Sequence, residues 1–267
     1  MPTVADLLQR SRLPTLEARA LLAHVLTTTR ETLIAHPERS VDAPAAVRFH
    51  ALVARRRSGE PLAYLVGERE FYGRSFGLTR DVLVPRPETE LLVELVLARA
   101  ALMHVPSILD LGTGSGCIAI SLALERPDAR VVAIDTSEAA LRVARGNAER
   151  LGAGVAFKQS DWYSEVGERF DFIVANPPYV AQGDPHLLDL PHEPQGALVA
   201  EEDGLACLRA IVAGARQHLN KNGWLLVEHG YNQAAAVRNL LIEVGFTSVA
   251  TLLDATRIER VTTGTLE

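Results

Sequence analysis

The sequence predicts an α/β fold in which a parallel sheet with helices on both faces follows a small all-helical unit. Three observations support this prediction. Residues 1–60 contain helical patterns only, strands and helices alternate beyond Pro87, and a glycine-rich turn follows the first strand of that alternation. Strands that alternate with helices are typical of parallel sheets covered by helices.

The two regions also differ in charge. The chain has 267 residues, of which 48% are hydrophobic and 22% charged, and these values exclude a disordered or collagen-like chain. Residues 1–60 hold nine Arg and six acids, a balance of +3, whereas the remainder holds 18 bases and 27 acids, a balance of −9. The total of −6 disfavours a protein that binds free nucleic acid, which usually carries a basic excess. We expect the basic unit and the linker to face a large partner, and the chemistry to lie on the acidic unit.

Cysteine content and the amino terminus indicate the compartment. Cys117 and Cys207 are too few for a disulfide framework in a chain of this length, which favours a reducing environment. The first ten residues contain Asp6 and Arg10, unlike a signal peptide. No apolar run approaches the ~18–20 residues that a membrane span requires. We therefore predict a cytoplasmic protein.

Helix signals recur in the first sixty residues. Thr3 followed by Asp6 resembles a capping box, and Thr15 is predicted to cap a second helix whose apolar residues recur at helical spacing. Pro44 stands where a first-turn proline is tolerated. The run Arg55–Arg57, followed by Ser-Gly, suits a helix C-terminus. These signals predict a helical bundle.

Residues 61–87 predict a β-hairpin linker, because Phe71, Tyr72 and Phe76 are interleaved with glycines. Beyond the linker, the pattern predicts, in order, a helix over 88–99, a strand over 107–111, a helix to 124, a strand over 130–134, a helix over 137–150, strands over 155–159 and 170–175, a helix over 205–219, a strand over 224–228, a helix over 234–244 and terminal strands.

A glycine-rich turn follows the strand over 107–111. Gly112, Gly114 and Gly116 allow a sharp turn and the approach of a ligand without Cβ atoms in the way, and the next helix presents free N–H groups. A tight turn without a ligand is the simpler interpretation. The dinucleotide pattern needs a glycine where Cys117 stands, and the spacing instead resembles that of S-adenosylmethionine-dependent methyltransferases.

The ends of the next two strands add candidate ligand contacts. Asp135 stands where an acid accepts hydrogen bonds from ribose hydroxyls, which indicates a nucleoside ligand without saying which one. Asp161 offers a carboxylate to an exocyclic amine, and Trp162 offers an indole on which adenine can pack. Burial as a core tryptophan is an equally good interpretation of Trp162.

A second turn, Asn176-Pro177-Pro178-Tyr179, ends the strand over 170–175. Two prolines stop the hydrogen-bond ladder and stiffen the loop, so a simple strand terminator is one interpretation. The turn, however, falls at the same sheet edge as the glycine turn, and its flanking residues suit the methylation of a planar nitrogen.

An amide or aryl NH2 group is a poor nucleophile because its lone pair is delocalised. The Asn176 side-chain oxygen can accept one of its N–H groups, the Pro177 carbonyl can accept the other, and Tyr179 can supply a flat face. This is catalysis by positioning and electrostatic stabilisation. We therefore expect no catalytic His, Cys or metal; His186 and His192, which lie near acids, fit no metal-ligand spacing and suit a solvated loop.

The Asn-Pro-Pro-Tyr turn resembles that of the amino-methyltransferases, which act on adenine N6, cytosine N4 or glutamine N5. Further segments narrow the choice among these three methyl acceptors. They are residues 64–73 (YLVGEREFYG), 82–90 (VLVPRPETE), 228–230 (EHG), Asp254 and 259–261 (ERV). With them, the chain resembles the HemK/PrmC family of peptide chain release factor N5-glutamine methyltransferases. Two segments depart from the family pattern. In His192–Leu198 the family more often has an aromatic residue before the Glu-Pro pair, and at Glu201-Glu202 glycine is usual.

The resemblance implies a Rossmann-like class I methyltransferase sheet, mostly parallel with a C-terminal antiparallel strand. It implies three regions: a helical bundle over 1–60 that binds the release factor, a β-hairpin linker over 61–87, and an S-adenosylmethionine-dependent methyltransferase domain over 88–267. The substrate would be the glutamine of the Gly-Gly-Gln motif in class 1 release factors, and the cofactor would be S-adenosylmethionine, with S-adenosylhomocysteine as product.

Matching motifs imply cofactor contacts at Gly112, Thr113, Gly114, Ser115, Gly116, Asp135, Asp161, Trp162 and Asn176. They imply a substrate site at Asn176, Pro177, Pro178 and Tyr179, of which Asn176, Pro177 and Tyr179 would be catalytic, with no metal, no membrane and no free nucleic acid. As a hypothesis, Phe71 and Tyr72, with Arg86 and Glu88, close over the methyl donor. Burial as core aromatics is an equally good interpretation of Phe71 and Tyr72. Two further functions stay open: N6-adenine methylation of DNA or RNA, and a non-enzymatic binding module.

Overall fold

The computed structural model describes residues 1–201 and 203–267, so Glu202, in one of the two divergent segments, lies outside the described residues. The chain divides into two compact units. The first comprises Met1–Glu68 and Asp189–His192, and the second comprises Arg69–Leu188 and Glu193–Glu267. Among the described residues, no helix combines the length and the apolar character that a membrane span requires.

Helices build the first unit: α1 (Val4–Ser11), α2 (Thr15–Leu26), α3 (Arg30–Ala35), α4 (Ala43–Arg57) and α5 (Leu62–Val66). The capping box is present, since Thr3 accepts from the Asp6 backbone N–H and Asp6 accepts from the Thr3 backbone N–H. Thr15 is not a cap; it is the first residue of α2, after Pro14. Leu21, Leu22 and Phe49 are fully buried in the core of this unit.

The hairpin in the structure is shorter than the linker predicted over residues 61–87. Residues 62–66 form α5, because Pro61 begins a helical turn and Gly67, with φ +79°, ends it. The hairpin itself consists of β1 (Glu68–Phe71) and β2 (Arg74–Gly77), joined at Tyr72 and Gly73, which both have positive φ as this two-residue turn requires.

A seven-stranded sheet forms the centre of the second unit. Its strand order is β10-β11-β9-β6-β3-β4-β5, and only β11 runs antiparallel to its neighbours. The strands are β3 (Ser107–Leu111), β4 (Arg130–Asp135), β5 (Val155–Gln159), β6 (Phe170–Ala175), β9 (Leu219–Glu228), β10 (Thr247–Leu253) and β11 (Glu259–Thr265), while β7 (Val180–Ala181) pairs with β8 (Val199–Ala200) outside this sheet. This confirms the mostly parallel sheet with a C-terminal antiparallel strand.

Helices cover both faces of the sheet, as its two apolar cores show. They are α6 (Glu90–Ala100), α7 (Cys117–Glu125), α8 (Glu138–Leu151), α9 (Ala206–His218) and α10 (Ala234–Val244). Every residue of β3 is buried, since this central strand has a strand on each side and helices above and below. The chain runs from β3 to β5 in one direction and then crosses to β6 on the other side of β3. Such a topological switch point is where open α/β sheets bind ligands.

Candidate active site

Strand register brings the two predicted turns together. Leu111, the last residue of β3, pairs with Ala175, the last residue of β6, so Gly112 and Asn176 leave the sheet side by side. On its other side Leu111 pairs with Ile134, which places Asp135 at the same edge.

A cavity of about 370 Å³ opens at this edge, within the range of about 300–1,000 Å³ that is typical of small-molecule sites. Of the predicted site residues, it is lined by Gly112, Thr113, Gly114, Ser115, Asp135, Asp161, Trp162, Asn176 and Pro178. Three predicted residues do not line it: Gly116, Pro177 and Tyr179. Sequence reasoning missed lining residues from two distant loops, namely Asp81, Val82, Leu83 and Pro85 before α6, and Pro194, Gly196, Ala197 and Val199 after the Asn-Pro-Pro-Tyr turn.

The three glycines of the turn have different roles. All three have positive φ, of +71°, +55° and +82° for Gly112, Gly114 and Gly116. A Cβ on Gly114 would meet no atom within 4 Å, so this position is open to a ligand. A Cβ on Gly116 would lie 2.7 Å from Ile120 Cδ1 and 3.1 Å from Ala144 Cβ. Gly116 therefore permits the close packing of α7 on α8, rather than the approach of a ligand as predicted.

Asp135 keeps acceptor capacity for a ligand. Its Oδ2 accepts from the Gly114 backbone N–H and its Oδ1 from the Ser137 backbone N–H, both at 2.9 Å. Each carboxylate oxygen has a further lone pair. Burial raises the pKa of Asp135, and the backbone hydrogen bonds oppose this shift.

The indole of Trp162 is half-buried, packs on the core of the second unit and lines the cavity, so both interpretations of this residue apply in part. Its backbone has φ +45°, and its carbonyl accepts from Ser160 Oγ at 2.8 Å. A bulky residue at positive φ persists only where its surroundings hold it there.

Asp110 lies buried behind the glycine turn. Its Oδ2 accepts from Thr113 Oγ1 at 2.6 Å, and its Oδ1 has no hydrogen-bond partner among the described residues. Burial raises the pKa of this carboxyl to about 7, against an ordinary value near 4 in an unfolded chain. The folded state thus binds the proton more tightly, and this contribution to stability is complete below about pH 4 and is lost as pH rises through 7.

We expect Asp110→Asn to remove this pH dependence. Between pH 5 and pH 8, the free energy of unfolding of the variant should rise relative to that of the wild type by about 2–3 kcal/mol. Urea unfolding of both proteins at the two pH values measures this difference. Asp171→Asn is the control. Burial alone would raise the pKa of Asp171, but hydrogen bonds from Asn220 and Ser107 bring it below its usual value. The difference in unfolding free energy between this variant and the wild type should therefore be the same at pH 5 and pH 8. Equal differences at pH 5 and pH 8 for Asp110→Asn would contradict the assignment.

The Asn-Pro-Pro-Tyr turn is anchored at both ends. Asn176 Nδ2 donates to Thr89 Oγ1 at 3.0 Å, which leaves Asn176 Oδ1 free to accept from a ligand in the cavity. The Tyr179 hydroxyl donates to Glu228 Oε1 at 3.3 Å, and the Tyr179 carbonyl accepts from Gln233 Nε2 at 3.0 Å. Burial, followed by the Glu228 charge, raises the pKa of Tyr179, so its hydroxyl stays protonated.

A buried ion pair joins the two loops that sequence reasoning missed. The Glu193 side chain is 1% exposed; its Oε1 accepts from Arg86 Nη2 at 2.6 Å and its Oε2 from the Val84 backbone N–H at 3.1 Å. Pro85 and Pro194, next to these partners, both line the cavity. Of the four residues expected to close over the methyl donor, Arg86 lines the cavity, whereas Phe71, Tyr72 and Glu88 do not.

Phe71 is 1% exposed and packs edge-on against Phe76, with ring centroids 6.1 Å apart, because the hairpin buries both rings against the sheet. Tyr72 does not line the cavity, whereas Arg86 does. Burial raises the pKa of the Cys117 thiol to about 12, which suits a packing residue. Within residues 1–201 and 203–267, no cluster of three or more His, Cys, Asp or Glu side chains could hold a metal ion.

Comparison with known proteins identifies the family. Residues 3–67 match the family described as PrmC N-terminal domain, and residues 87–189 match the family described as Methyltransferase small domain. The release factor glutamine methyltransferase of Burkholderia pseudomallei is 52% identical over 99% of this chain and 96% of that protein. That of Bordetella pertussis is 49% identical over 100% of both chains. The chain belongs to the release factor glutamine methyltransferase family.

Solved structures agree with the fold of this release factor glutamine methyltransferase family member. A methyltransferase from Pyrococcus furiosus superposes with a TM-score of 0.56 at 19% identity, over 79% of this chain and 96% of that one. The 16S rRNA N2 G1207 methyltransferase of T. thermophilus superposes with a TM-score of 0.54 at 22% identity, over 75% of this chain and 50% of that one. At these identities the likeness concerns the fold alone, and it confirms the predicted class I methyltransferase sheet.

Proposed function

We propose that this chain transfers a methyl group from S-adenosylmethionine to the side-chain amide nitrogen, N5, of the glutamine in the Gly-Gly-Gln motif of class 1 peptide chain release factors. The observation that carries the proposal is the placement of Asn176. Its Nδ2 donates to Thr89, and its side chain lines the cavity that the glycine turn also lines. With Nδ2 engaged, the amide oxygen is the group of Asn176 that can accept from a substrate N–H donor.

The residues of the cavity fit S-adenosylmethionine. Gly114 leaves open space at the turn, Asp135 lines the cavity as a carboxylate acceptor for a ribose hydroxyl, and Trp162 offers a flat apolar surface to adenine. Asp161 lines the same part of the cavity and can accept from an exocyclic amine. When bound, the cofactor supplies an electrophilic methyl group on a sulfonium centre.

The Asn-Pro-Pro-Tyr turn would hold the substrate amide. Asn176 Oδ1 accepts one N–H of the glutamine side chain, and the Pro177 carbonyl accepts the other, as the sequence predicts. Both acceptors draw the amide nitrogen toward a geometry with an available lone pair, and the stiff turn holds them in place. The Tyr179 ring, fixed through its hydroxyl by Glu228, would pack against the plane of the amide.

The helical unit would hold the release factor. We propose the predicted division: residues 1–60 as the substrate-binding bundle, with the +3 balance of the first sixty residues, residues 61–87 as the linker, and residues 88–267 as the catalytic domain. We also propose that the protein acts in the cytoplasm, where release factors work, on a protein substrate and not on free nucleic acid.

A methylation assay tests the proposal. Purified protein and labelled S-adenosylmethionine are offered a class 1 release factor, DNA or tRNA in turn. We expect label on the release factor only, and loss of the label when its motif glutamine is replaced by alanine. Label on nucleic acid would favour the adenine methyltransferase, and tight binding of the release factor without label would favour a binding module; either result overturns the proposal.

We expect Asp135→Asn to weaken S-adenosylmethionine binding by about 10–100-fold, because hydrogen bonds to a charged acceptor contribute about 1.5–3 kcal/mol. The amide nitrogen of the variant cannot accept from a ribose hydroxyl, and the negative charge is lost. Isothermal titration with the cofactor measures the dissociation constant. Glu149→Gln, the same carboxyl-to-amide change at an exposed position on α8, is the control and should leave binding unchanged. Unchanged binding in Asp135→Asn would remove Asp135 from the cofactor site.

A further inference from the structure

The Thr89 hydroxyl lies between the Asn-Pro-Pro-Tyr turn and a buried carboxylate. Thr89 is 2% exposed and ends the short turn Pro87–Thr89 before α6. Its hydroxyl accepts from Asn176 Nδ2 at 3.0 Å and does not cap α6. Its side chain also interacts with the carboxylate of Glu228, the last residue of β9.

Glu228 is fully buried, and it contacts Tyr179 directly and Asn176 through Thr89. Its Oε1 accepts from the Tyr179 hydroxyl at 3.3 Å, while its Oε2 has no hydrogen-bond partner among the described residues. Buried carboxylate oxygens are rarely left without a donor. Because the Thr89 side chain interacts with this carboxylate, we infer that its hydroxyl is the donor. Its contact with the Tyr179 hydroxyl fixes one end of the turn, and its contact with Thr89 concerns the other end.

Hydrogen-bond direction decides how the Asn176 amide is oriented. A hydroxyl has one proton, and an ionised carboxylate only accepts. If Thr89 donates its proton to Glu228, its oxygen can only accept from Asn176, and Nδ2 is then the end of the amide that turns toward Thr89. Asn176 Oδ1 must therefore face the cavity. Without the hydroxyl, the amide can rotate by 180° and present its NH2 group to the ligand.

We propose that Thr89 and Glu228 are positioning residues which fix the Asn176 amide with its oxygen toward the cavity, and thereby make the site select a primary amide over a carboxylate. This inference rests on the proposed function, since the amide concerned is the glutamine side chain. Oδ1 attracts the N–H donors of glutamine and repels the oxygens of glutamate, whereas a rotated Asn176 would do the opposite. Discrimination of this kind comes from unpaired polar groups at the wrong ligand.

The charges around Glu228 bear on its ionisation. Burial raises its pKa to about 7, the Thr89 hydroxyl and the Arg260 charge lower it, and the Glu88 charge raises it. The acceptor-only form of Glu228 is therefore the main form above about pH 7. The test is best done at pH 8.

The test compares Thr89→Val, which replaces the hydroxyl by a methyl group of similar size, with Thr89→Ser, which retains it. Binding of two forms of the release factor, with glutamine or with glutamate in the motif, is measured in the presence of S-adenosylhomocysteine, so that no turnover occurs. We expect the wild type and Thr89→Ser to prefer the glutamine form, and Thr89→Val to lose this preference by about 10-fold or more. Its kcat should fall by a similar factor.

A purely structural role for Thr89 would lower kcat and the melting temperature and leave the preference for glutamine over glutamate unchanged, and that result overturns the inference. Should Thr89→Val fold poorly, Thr89→Ala provides the same comparison, because neither side chain can accept from Asn176. Failure of the proposed function is distinct, since the wild type would then methylate no release factor.

Discussion

Asn176→Ala is expected to lower the rate of methyl transfer by about 10²–10³-fold, the usual effect of removing one preorganised polar group from a transition-state site. The variant loses the oxygen that accepts from the substrate amide, while the strand before it keeps its position. Thr89 loses one hydrogen bond, and the two prolines still stiffen the turn. The fold should therefore be retained, with at most a small drop in melting temperature.

Single-turnover methylation of a release factor measures this effect, because it separates the chemical step from product release. Asn239→Ala, at an exposed position on α10, is the matched control and should react at the wild-type rate. Cofactor titration shows whether Asn176 also contributes to cofactor affinity, as its place on the cavity predicts. Full activity of Asn176→Ala would refute the proposed mechanism, whatever its effect on cofactor binding.

The position of the active site could be predicted from sequence because parallel strands present their carboxyl ends at one edge. The turns after β3 and β6 carry their own signals, glycine spacing in one and Asn-Pro-Pro-Tyr in the other. The pairing of Leu111 with Ala175 then follows from the strand order of a doubly wound sheet. Local patterns and one topological rule were therefore sufficient to bring Gly112, Asp135 and Asn176 together.

The remainder of the cavity could not be predicted, because it depends on contacts between distant segments. Arg86 and Glu193 are separated by 107 positions, and neither has a local pattern that indicates its partner. Phe71 is a related case: its place in the linker suits both a core aromatic and a residue that closes over the methyl donor, and packing of the hairpin buries it. Tertiary burial decides such cases, and a single sequence does not record it.

The role of Thr89 could not be predicted from the sequence for the same reason. Its sequence context, a Pro-Glu-Thr-Glu run before an apolar helix, indicates a helix start, and the structure places it there. That its hydroxyl turns toward Asn176, 87 positions away, follows only from the packing of α6 beside the end of β6. A residue that orients another residue has no chemical signature of its own in the sequence.

Gly116→Ala is expected to destabilise the protein by roughly 2–4 kcal/mol, since overpacking and a left-handed backbone conformation both oppose a Cβ there. The added atom would lie 2.7 Å from Ile120 Cδ1 and 3.1 Å from Ala144 Cβ, and 3.4 Å from the Ala144 Cα, which cannot move without shifting α8. The side chain of Ile120 can rotate away, so the cost depends mainly on how far α8 is displaced from α7.

Gly114→Ala is the matched comparison, because it makes the same change two residues earlier in the same turn. Its φ is also positive, but its Cβ would meet no protein atom within 4 Å, so only the backbone cost of about 1–2 kcal/mol remains. The Cβ would instead occupy space at the cavity wall, and S-adenosylmethionine binding should weaken strongly. Urea unfolding and cofactor titration of both variants separate the two roles. Equal destabilisation by both changes, with unaltered cofactor affinity in Gly114→Ala, would mean that Gly114 and Gly116 both serve the turn alone. The ligand would then approach the sheet edge elsewhere.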